Sequence, residues 1–349
     1  MTMTESQLAA RLATFPRIRA CHAPTPLETL GNLGADLGLA LTVKRDDCTG
    51  IAFGGNKVRQ LEFYFGAARA EGADTVLITG AIQSNFARIT AAMARKLGMD
   101  CHIQLEERVP GTGDLYRRNG NVLLDRLLGA TLHSYPEGED EAGADAALRG
   151  IAAGLRRRGR KPYVIPLAAD HPPLGALGYV CAAIELAQQA DGQPPFDEIV
   201  IASGSALTHT GLLFGLRALG IATPVLGICV RRDAAAQGAR VAKRLDDLAE
   251  LLSIPSPVPA FDVTVDDSAL PPGYGRLSDA TVEAIELTAR TEGLFLDPTY
   301  TGKTMAGLIG LARSGELAGK RVLFWHTGGQ PALFAYADQL AATVSADNQ

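Results

Sequence analysis

Lys57 follows two glycines and an asparagine in Gly54-Gly55-Asn56-Lys57. It precedes an apolar set, Val58, Leu61, Phe65 and Ala68, whose i, i+3, i+7, i+10 spacing predicts one face of a helix. Arg59, Gln60 and Glu62 fall among the polar positions, so the expected helix is amphipathic. Lys57 then occupies the first turn, at the positive end of the helix dipole, where a neutral amine is favoured over an ammonium. A neutral lysine amine forms Schiff bases with carbonyl compounds. Locally, the same four residues also describe an ordinary surface lysine after a Gly-Gly turn, and the choice rests on other stretches.

Three further turns carry complementary groups, each after a run that reads as a strand, which is where open parallel sheets bind ligands. Ser203-Gly204-Ser205-Ala206-Leu207-Thr208 follows Glu198–Ala202 and opens a helix; free N–H groups beside hydroxyls make a phosphate cradle, or equally a Ser-rich N-cap. It is neither a G-K-[ST] loop nor G-x-G-x-x-G. Gly80-Ala81-Ile82-Gln83-Ser84-Asn85 offers hydroxyl, amide and helix N–H groups suited to a carboxylate. In His326-Thr327-Gly328-Gly329-Gln330, two glycines let something flat approach the backbone. Three such turns and a lysine at a fourth point to a phosphorylated, planar, lysine-bound cofactor, pyridoxal 5′-phosphate. Lys44, at a strand end beside Asp46 and Asp47, and Lys303, in the first turns of a helix near Tyr300, are the competing lysines; the aspartates are expected to hold Lys44 charged.

The elements that position these turns alternate along the chain. Strands are expected at Leu39–Val43, Thr75–Thr79, Cys101–Leu105, Thr131–Ser134, Tyr163–Ile165, Glu198–Ala202, Val225–Val230, Phe261–Val265 and Val322–Trp325. Helices are expected between them, including one through Leu115, Val122, Leu123 and Leu127. Pro24-Thr25-Pro26-Leu27 reads as an extended lead-in, Lys44-Arg45-Asp46-Asp47 as a solvated strand end, and Glu137–Asp145 and Arg156–Lys161 as solvated helix ends. This order implies an α/β fold with two open parallel-sheet domains, helices on both faces and the cofactor in the cleft between them. The expected boundaries are 1–54 plus 163–349 for a large cofactor-binding domain and 55–162 for a small one.

The chain of 349 residues is 47% apolar and 20% charged with net charge −5, as for a soluble globular protein, and has no apolar run of membrane length. No basic, aromatic-interleaved stretch points to nucleic acid. The five cysteines and six histidines are dispersed, which predicts neither a disulfide framework nor a metal site. Met1–Glu5 lacks the pattern of a secretory signal, so a cytoplasmic protein is expected.

Taken in order over nearly the whole chain, several motifs resemble those of fold-type II pyridoxal-phosphate enzymes, of the D-cysteine desulfhydrase and 1-aminocyclopropane-1-carboxylate deaminase family. They are Thr25-Pro26-Leu27-Glu28, Lys44-Arg45-Asp46-Asp47, Gly54-Gly55-Asn56-Lys57, Gln83-Ser84-Asn85, Gly175-Ala176-Leu177-Gly178-Tyr179, Ser203-Gly204-Ser205, Pro272-Gly273-Tyr274-Gly275, Asp297-Pro298 with Tyr300, Gly302-Lys303 and His326-Thr327-Gly328-Gly329. The resemblance implies that Lys57 is the Schiff-base lysine, with Asn56 beside it. Asn85 is then the partner of the ring hydroxyl, Ser203, Gly204, Ser205, Ala206, Leu207 and Thr208 form the phosphate loop, and Thr327 and Gly328 lie against the cofactor. Ser84 would hold the substrate carboxylate and move a proton, Asn85 and Phe86 would border the substrate, and Tyr274 and Tyr300 would flank it. Thr301 stands where the deaminases carry a glutamate facing the ring nitrogen; a neutral hydroxyl there favours β-elimination over cyclopropane ring opening.

The resemblance has three departures. Phe86 replaces the usual histidine after Ser-Asn, Ala168-Ala169-Asp170-His171 replaces a Gly-Gly-Ser turn, and Leu207 replaces a glycine. His171, paired with Asp170, is a candidate substrate contact in place of the missing histidine; a solvated loop before Pro172-Pro173 is the competing reading. The expected activity is β-elimination on a small amino acid, D-cysteine first, giving pyruvate, ammonia and sulfide. L-cysteate sulfo-lyase, 1-aminocyclopropane-1-carboxylate deaminase and amino-acid racemase are the alternatives, together with a non-catalytic binding protein. A homodimer is the family expectation.

Overall fold

The computed structural model describes residues 2–167, 171–190 and 196–346, with side chains through 341. Ten strands alternate with helices: β1 (Leu27–Thr29), β2 (Ala40–Arg45), β3 (Thr75–Ala81), β4 (Asp100–Glu106), β5 (Thr131–Tyr135), β6 (Pro162–Ile165), β7 (Glu198–Ser203), β8 (Val225–Cys229), β9 (Thr264–Asp266) and β10 (Arg321–His326). They form a six-stranded sheet, β1-β2-β10-β7-β8-β9, and a four-stranded sheet, β5-β4-β3-β6. All pairs are parallel except β1 with β2, so the proline-bounded lead-in ends as an antiparallel edge strand. β6 lies in the four-stranded sheet, which corrects the expected boundary at 163: the crossing back comes after this strand, because Pro162–Ile165 pairs with Thr75–Ile78.

All seven residues of β3 are buried, as a strand covered on both faces requires, and its apolar members are continuous rather than alternating. The Asn56–Ala70 helix departs from expectation. Val58, Leu61 and Phe65 pack with Val76 and Ile78 of β3, while Phe63 joins the core of the Leu174–Gln189 helix. Its polar residues Arg59, Gln60 and Glu62 are 2%, 0% and 1% exposed, so the amphipathic reading is corrected to a helix buried on all sides. Each of these three is hydrogen-bonded, as burial demands. Arg59 bonds Asp46 at 2.8 and 3.0 Å and Glu185 at 2.8 and 2.9 Å. Glu62 accepts from Arg17 and from the N–H groups of Ala20 and Cys21.

The charged run at the end of β2 is likewise not a solvated end, since Lys44 and Asp46 are fully buried. Asp46 accepts from Thr25, Arg59, Tyr179 and Trp325, and burial, which disfavours its charge, is outweighed by Arg59, which holds its carboxyl near 2. The helix expected through Leu115 to Leu127 is broken into Asp114–Arg118 and Asn121–Leu127, because Asn119 is extended and the Asn121 N–H is taken by Gln83 Oε1 at 2.9 Å. The Gly192–Pro195 connection and Ala168-Ala169-Asp170 lie outside the described residues.

Candidate active site

Gly54 and Gly55 make the approach to Lys57 possible. Gly54 has φ +63, and a Cβ there would stand 2.1 Å from the Asp47 carbonyl oxygen. Gly328, φ +82, faces it from the turn after β10; a Cβ there would lie 2.6 Å from Gly55 Cα, so the two turns meet backbone to backbone, sealed by Asn56 N–H donating to Thr327 O at 2.9 Å. Lys57 is thereby set in the first turn of the Asn56–Ala70 helix, at the wall of a cavity of about 870 Å³ including its open mouth, a size usual for small-molecule sites.

Nζ of Lys57 contacts Gln60 Oε1 at 3.4 Å and faces the Phe86 ring at 5.3 Å. Burial lowers its ammonium to about 8. The competing lysines are engaged elsewhere. Lys44 bonds Glu185 at 2.6 Å and Thr25 O at 2.7 Å, so its ion-pair partner is Glu185 rather than the neighbouring aspartates. Lys303 donates to the carbonyls of Ala269, Leu270 and Pro271. Neither lines the cavity.

Beyond the end of β7, the cavity wall is Gly204, Ser205, Ala206 and Thr208. Ala206 holds the left-handed conformation at φ +75, an uncommon state for a residue with a Cβ, and it caps the Leu207–Ala218 helix, whose first N–H groups have no intrahelical acceptor. The Thr208 hydroxyl oxygen accepts from Asn56 Nδ2 and from Gln60 Nε2, both at 2.8 Å. Its lone pairs are thus occupied, and its own proton is left to donate into the cavity. Two members of the expected phosphate loop turn their side chains away from the cavity. Ser203 Oγ bonds His209 and Gln237 in the core, and Leu207 is buried against the far side, near Gly175.

After β3, Ser84 caps the Asn85–Lys96 helix, its Oγ accepting the Ala87 N–H at 3.1 Å, and Ser84, Asn85 and Phe86 all line the cavity. Opposite them stand Tyr274 and Tyr300, hydroxyl to hydroxyl at 2.6 Å; burial raises both phenols above their ordinary value, so the pair stays protonated. Thr301 does not reach the wall. Its hydroxyl donates to Asp297 Oδ1 at 2.8 Å and accepts the Asp297 N–H at 2.7 Å, while the Asp297 carboxylate also accepts the N–H groups of Thr299, Tyr300 and Thr301 before the Thr301–Arg313 helix. His171 is also corrected: it borders a separate depression with Tyr64 and Tyr163, bonded to Pro172 O and Arg244, and its expected partner Asp170 is not among the described residues.

Four charged residues on the wall escaped the sequence reading: Arg108, Glu141, Arg231 and Arg240. Glu141 accepts from Arg231 at 2.5 Å, Arg232 at 2.6 Å and Arg240 at 3.2 Å, joining the helix after β5 to the turn and helix after β8. Burial disfavours its charge, but the three arginines outweigh this and hold its carboxyl below the ordinary range. Arg231 Nε is buried with no hydrogen-bond partner among the described residues. Arg231 and Arg232 directly follow Val230 at the end of β8, so the strand-end rule applied to the other turns would have found them.

A planar, phosphorylated ring fits these groups. The Ala206 cradle and the Thr208 proton suit a phosphate, the Gly328 turn leaves room for a flat face, and Asn85 faces the cavity beside Lys57.

Comparison with known proteins gives the same picture. The family model described as pyridoxal-phosphate dependent enzyme matches residues 18–328. The chain is 44% identical over 326 residues to a D-cysteine desulfhydrase of Salmonella newport, covering 93% of this chain and 97% of that one. It is also similar to a crystal structure of an ACC deaminase homologue, with TM-score 0.86 and 38% identity over 96% of this chain and 98% of that one. A fungal L-serine ammonia-lyase from Rhizomucor miehei, 20% identical with TM-score 0.64 over 93% of this chain and 99% of that one, shares the fold.

Proposed function

Because the chain belongs to the pyridoxal-phosphate-dependent enzyme family, we propose that it is a lyase removing the β-substituent of a small amino acid, converting D-cysteine and water to pyruvate, ammonia and sulfide. The observation that carries this reading is that Lys57, an amine lowered by burial to about 8, and Ser84, a hydroxyl at a helix N-terminus, line the same cavity.

Pyridoxal 5′-phosphate, when bound, supplies an electron sink for the pair left at Cα as the α-proton departs. Lys57 would anchor its aldehyde and, once the substrate's amine had taken that place, would hold the departing proton on Nζ, which an amine near 8 does at neutral pH. Gly204, Ser205, Ala206 and Thr208 hold the phosphate, Asn85 the ring hydroxyl, and Asn56, Thr327 and Gly328 fix the geometry around Lys57. Ser84 and the N–H groups of Asn85 and Phe86 hold the substrate carboxylate. Tyr274 and Tyr300 share one proton between them and present the other to the leaving sulfur. Glu141 is the only carboxylate on the wall among the described residues, and it is bound to arginines, which leaves no free carboxylate on that wall to pair with a ring nitrogen. That supports elimination, in which the leaving group takes up the electron pair, over ring opening of 1-aminocyclopropane-1-carboxylate or a racemase cycle.

One observation favours a second reading: Arg108, Arg231 and Arg240 line the cavity, and three arginines share Glu141, which suits a β-substituent that is itself an anion, as in L-cysteate. The test is a screen of pyruvate release from D- and L-cysteine, L-cysteate, β-chloroalanine and 1-aminocyclopropane-1-carboxylate, with Lys57→Ala as the control and chiral analysis of recovered substrate. D-Cysteine turnover abolished by Lys57→Ala supports the proposal; release from cysteate alone replaces it with the second reading. A cytoplasmic homodimer completes the proposal. No described helix is long and apolar enough to cross a membrane, the five cysteines are free thiols, and Phe53, Phe295 and Phe334 are exposed apolar residues that a second copy would cover.

A further inference from the structure

Behind the cavity wall, Arg88 is completely buried, yet no carboxylate bonds it among the described residues. Its Nη1 donates to Asn85 Oδ1 at 3.1 Å and to Asn121 Oδ1 at 2.8 Å, and its Nη2 donates to Gly54 O at 3.0 Å. Asn121 Nδ2 adds a second donor to Asn85 Oδ1 at 3.0 Å. The carboxamide oxygen of Asn85 is therefore saturated from behind. Flipping the amide would set its NH₂ against two donors, so the orientation is fixed and Nδ2 is the atom left for a ligand. One guanidinium thus ties the turn that carries Lys57 to the amide beside it.

The charge matters as well as the bonds. Two buried carboxyls favour the Arg88 cation without bonding it: Asp125, whose oxygens lack hydrogen-bond partners among the described residues and which burial raises to about 8, and Asp297, which burial also raises. Burial lowers Arg88 only to about 10, so it stays a cation at neutral pH, directly behind Asn85.

We infer that Arg88 is a positioning residue for the cofactor's ring oxygen: it locks Asn85 as a donor toward the cavity and backs that donor with positive charge, so that the pair selects an oxygen carrying negative charge. This rests on the proposed contact between Asn85 and the ring hydroxyl of pyridoxal 5′-phosphate.

The test uses the cofactor-free full chain and two ligands that cannot bond covalently to Lys57, pyridoxamine 5′-phosphate and its 3-deoxy analogue, with dissociation constants from calorimetry. The wild-type protein prefers the hydroxyl-bearing ligand by about tenfold or more, as for a hydrogen bond to a charged group. Arg88→Met lowers that preference to below about threefold, and in an Asn85→Ala background it changes the preference no further. Equal weakening of both ligands by Arg88→Met, with the preference intact, makes Arg88 a mere prop and overturns the inference. Absence of any preference in the wild-type protein overturns the Asn85 contact on which it rests. If Arg88→Met does not fold, Arg88→Lys and Asn121→Ala stand in for it. Both leave a cation but break the lock, and an unchanged preference in either folded variant also overturns the inference.

Discussion

The Lys57 ammonium lies 5.3 Å from the centre of the Phe86 ring, and no described carboxylate pairs with it. The ring face favours the charged amine while burial favours the neutral one, and burial wins, with the amine near 8. In the cofactor-free protein the native amine loses its proton near 8, whereas the unfolded chain holds its proton to about 10.4. Between these values the unfolded state binds more protons, so this group makes stability rise with pH. Denaturant unfolding from pH 7.5 to 10 is expected to show that slope in the wild-type protein and to lose it in Lys57→Met. Phe86→Leu removes the attraction to the ring and lowers the amine by roughly half a unit more, read from the pH dependence of its reaction with trinitrobenzenesulfonate.

Thr208 accepts two amide donors and has one proton to give. Thr208→Val is expected to weaken pyridoxal 5′-phosphate binding roughly tenfold to a hundredfold, the loss of a hydrogen bond to a charged group. Thr208→Ser keeps the hydroxyl and should bind within a few-fold of wild type. Equilibrium dialysis of the cofactor distinguishes the two.

Tyr274 and Tyr300 are both held protonated by burial. Tyr274→Phe should lower kcat about a hundredfold, the low end for loss of a positioned proton donor, and leave KM nearly unchanged. The alkaline limb of the pH–rate profile should not move, because neither phenol ionises in the working range.

Glu141 joins segments from the two sheets through three arginines. Its carboxyl is held below the ordinary range, so its contribution is complete above about 4.3 and is lost as pH falls below that value. Glu141→Gln should flatten the acid limb of thermal stability. It should also tighten competitive inhibition by aspartate, since the arginines then lack their internal anion.

Asp46 is fully buried and holds Arg59, the residue two positions beyond Lys57. Asp46→Ala removes one of the two carboxylates that hold that guanidinium, leaving Glu185 alone, and should cost about 3 kcal/mol in urea unfolding, the low end for a broken buried ion pair. In the wild-type protein the contribution of Asp46 is lost as pH falls from about 4 to about 2.

What the sequence by itself determined was local. Gly54-Gly55 before a helical run, and the small and hydroxyl-bearing turns after β3, β7 and β10, constrain backbone conformation within a few residues, and the cavity is built from those turns. Strand order, burial and partnership came only with the tertiary structure. The run Lys44-Arg45-Asp46-Asp47 reads as solvated until Glu185 and Arg59 arrive from distant helices to neutralise it. Glu141 and Arg231 are 90 positions apart, so neither announces the other, and the arginine face of the cavity stayed hidden. Ser203, Leu207 and Thr301 lie in the right turns but point inward, because the helix that each one precedes or opens draws it into the core. A turn fixes where the chain goes; what a side chain touches is fixed by segments that meet only when the two sheets are folded together.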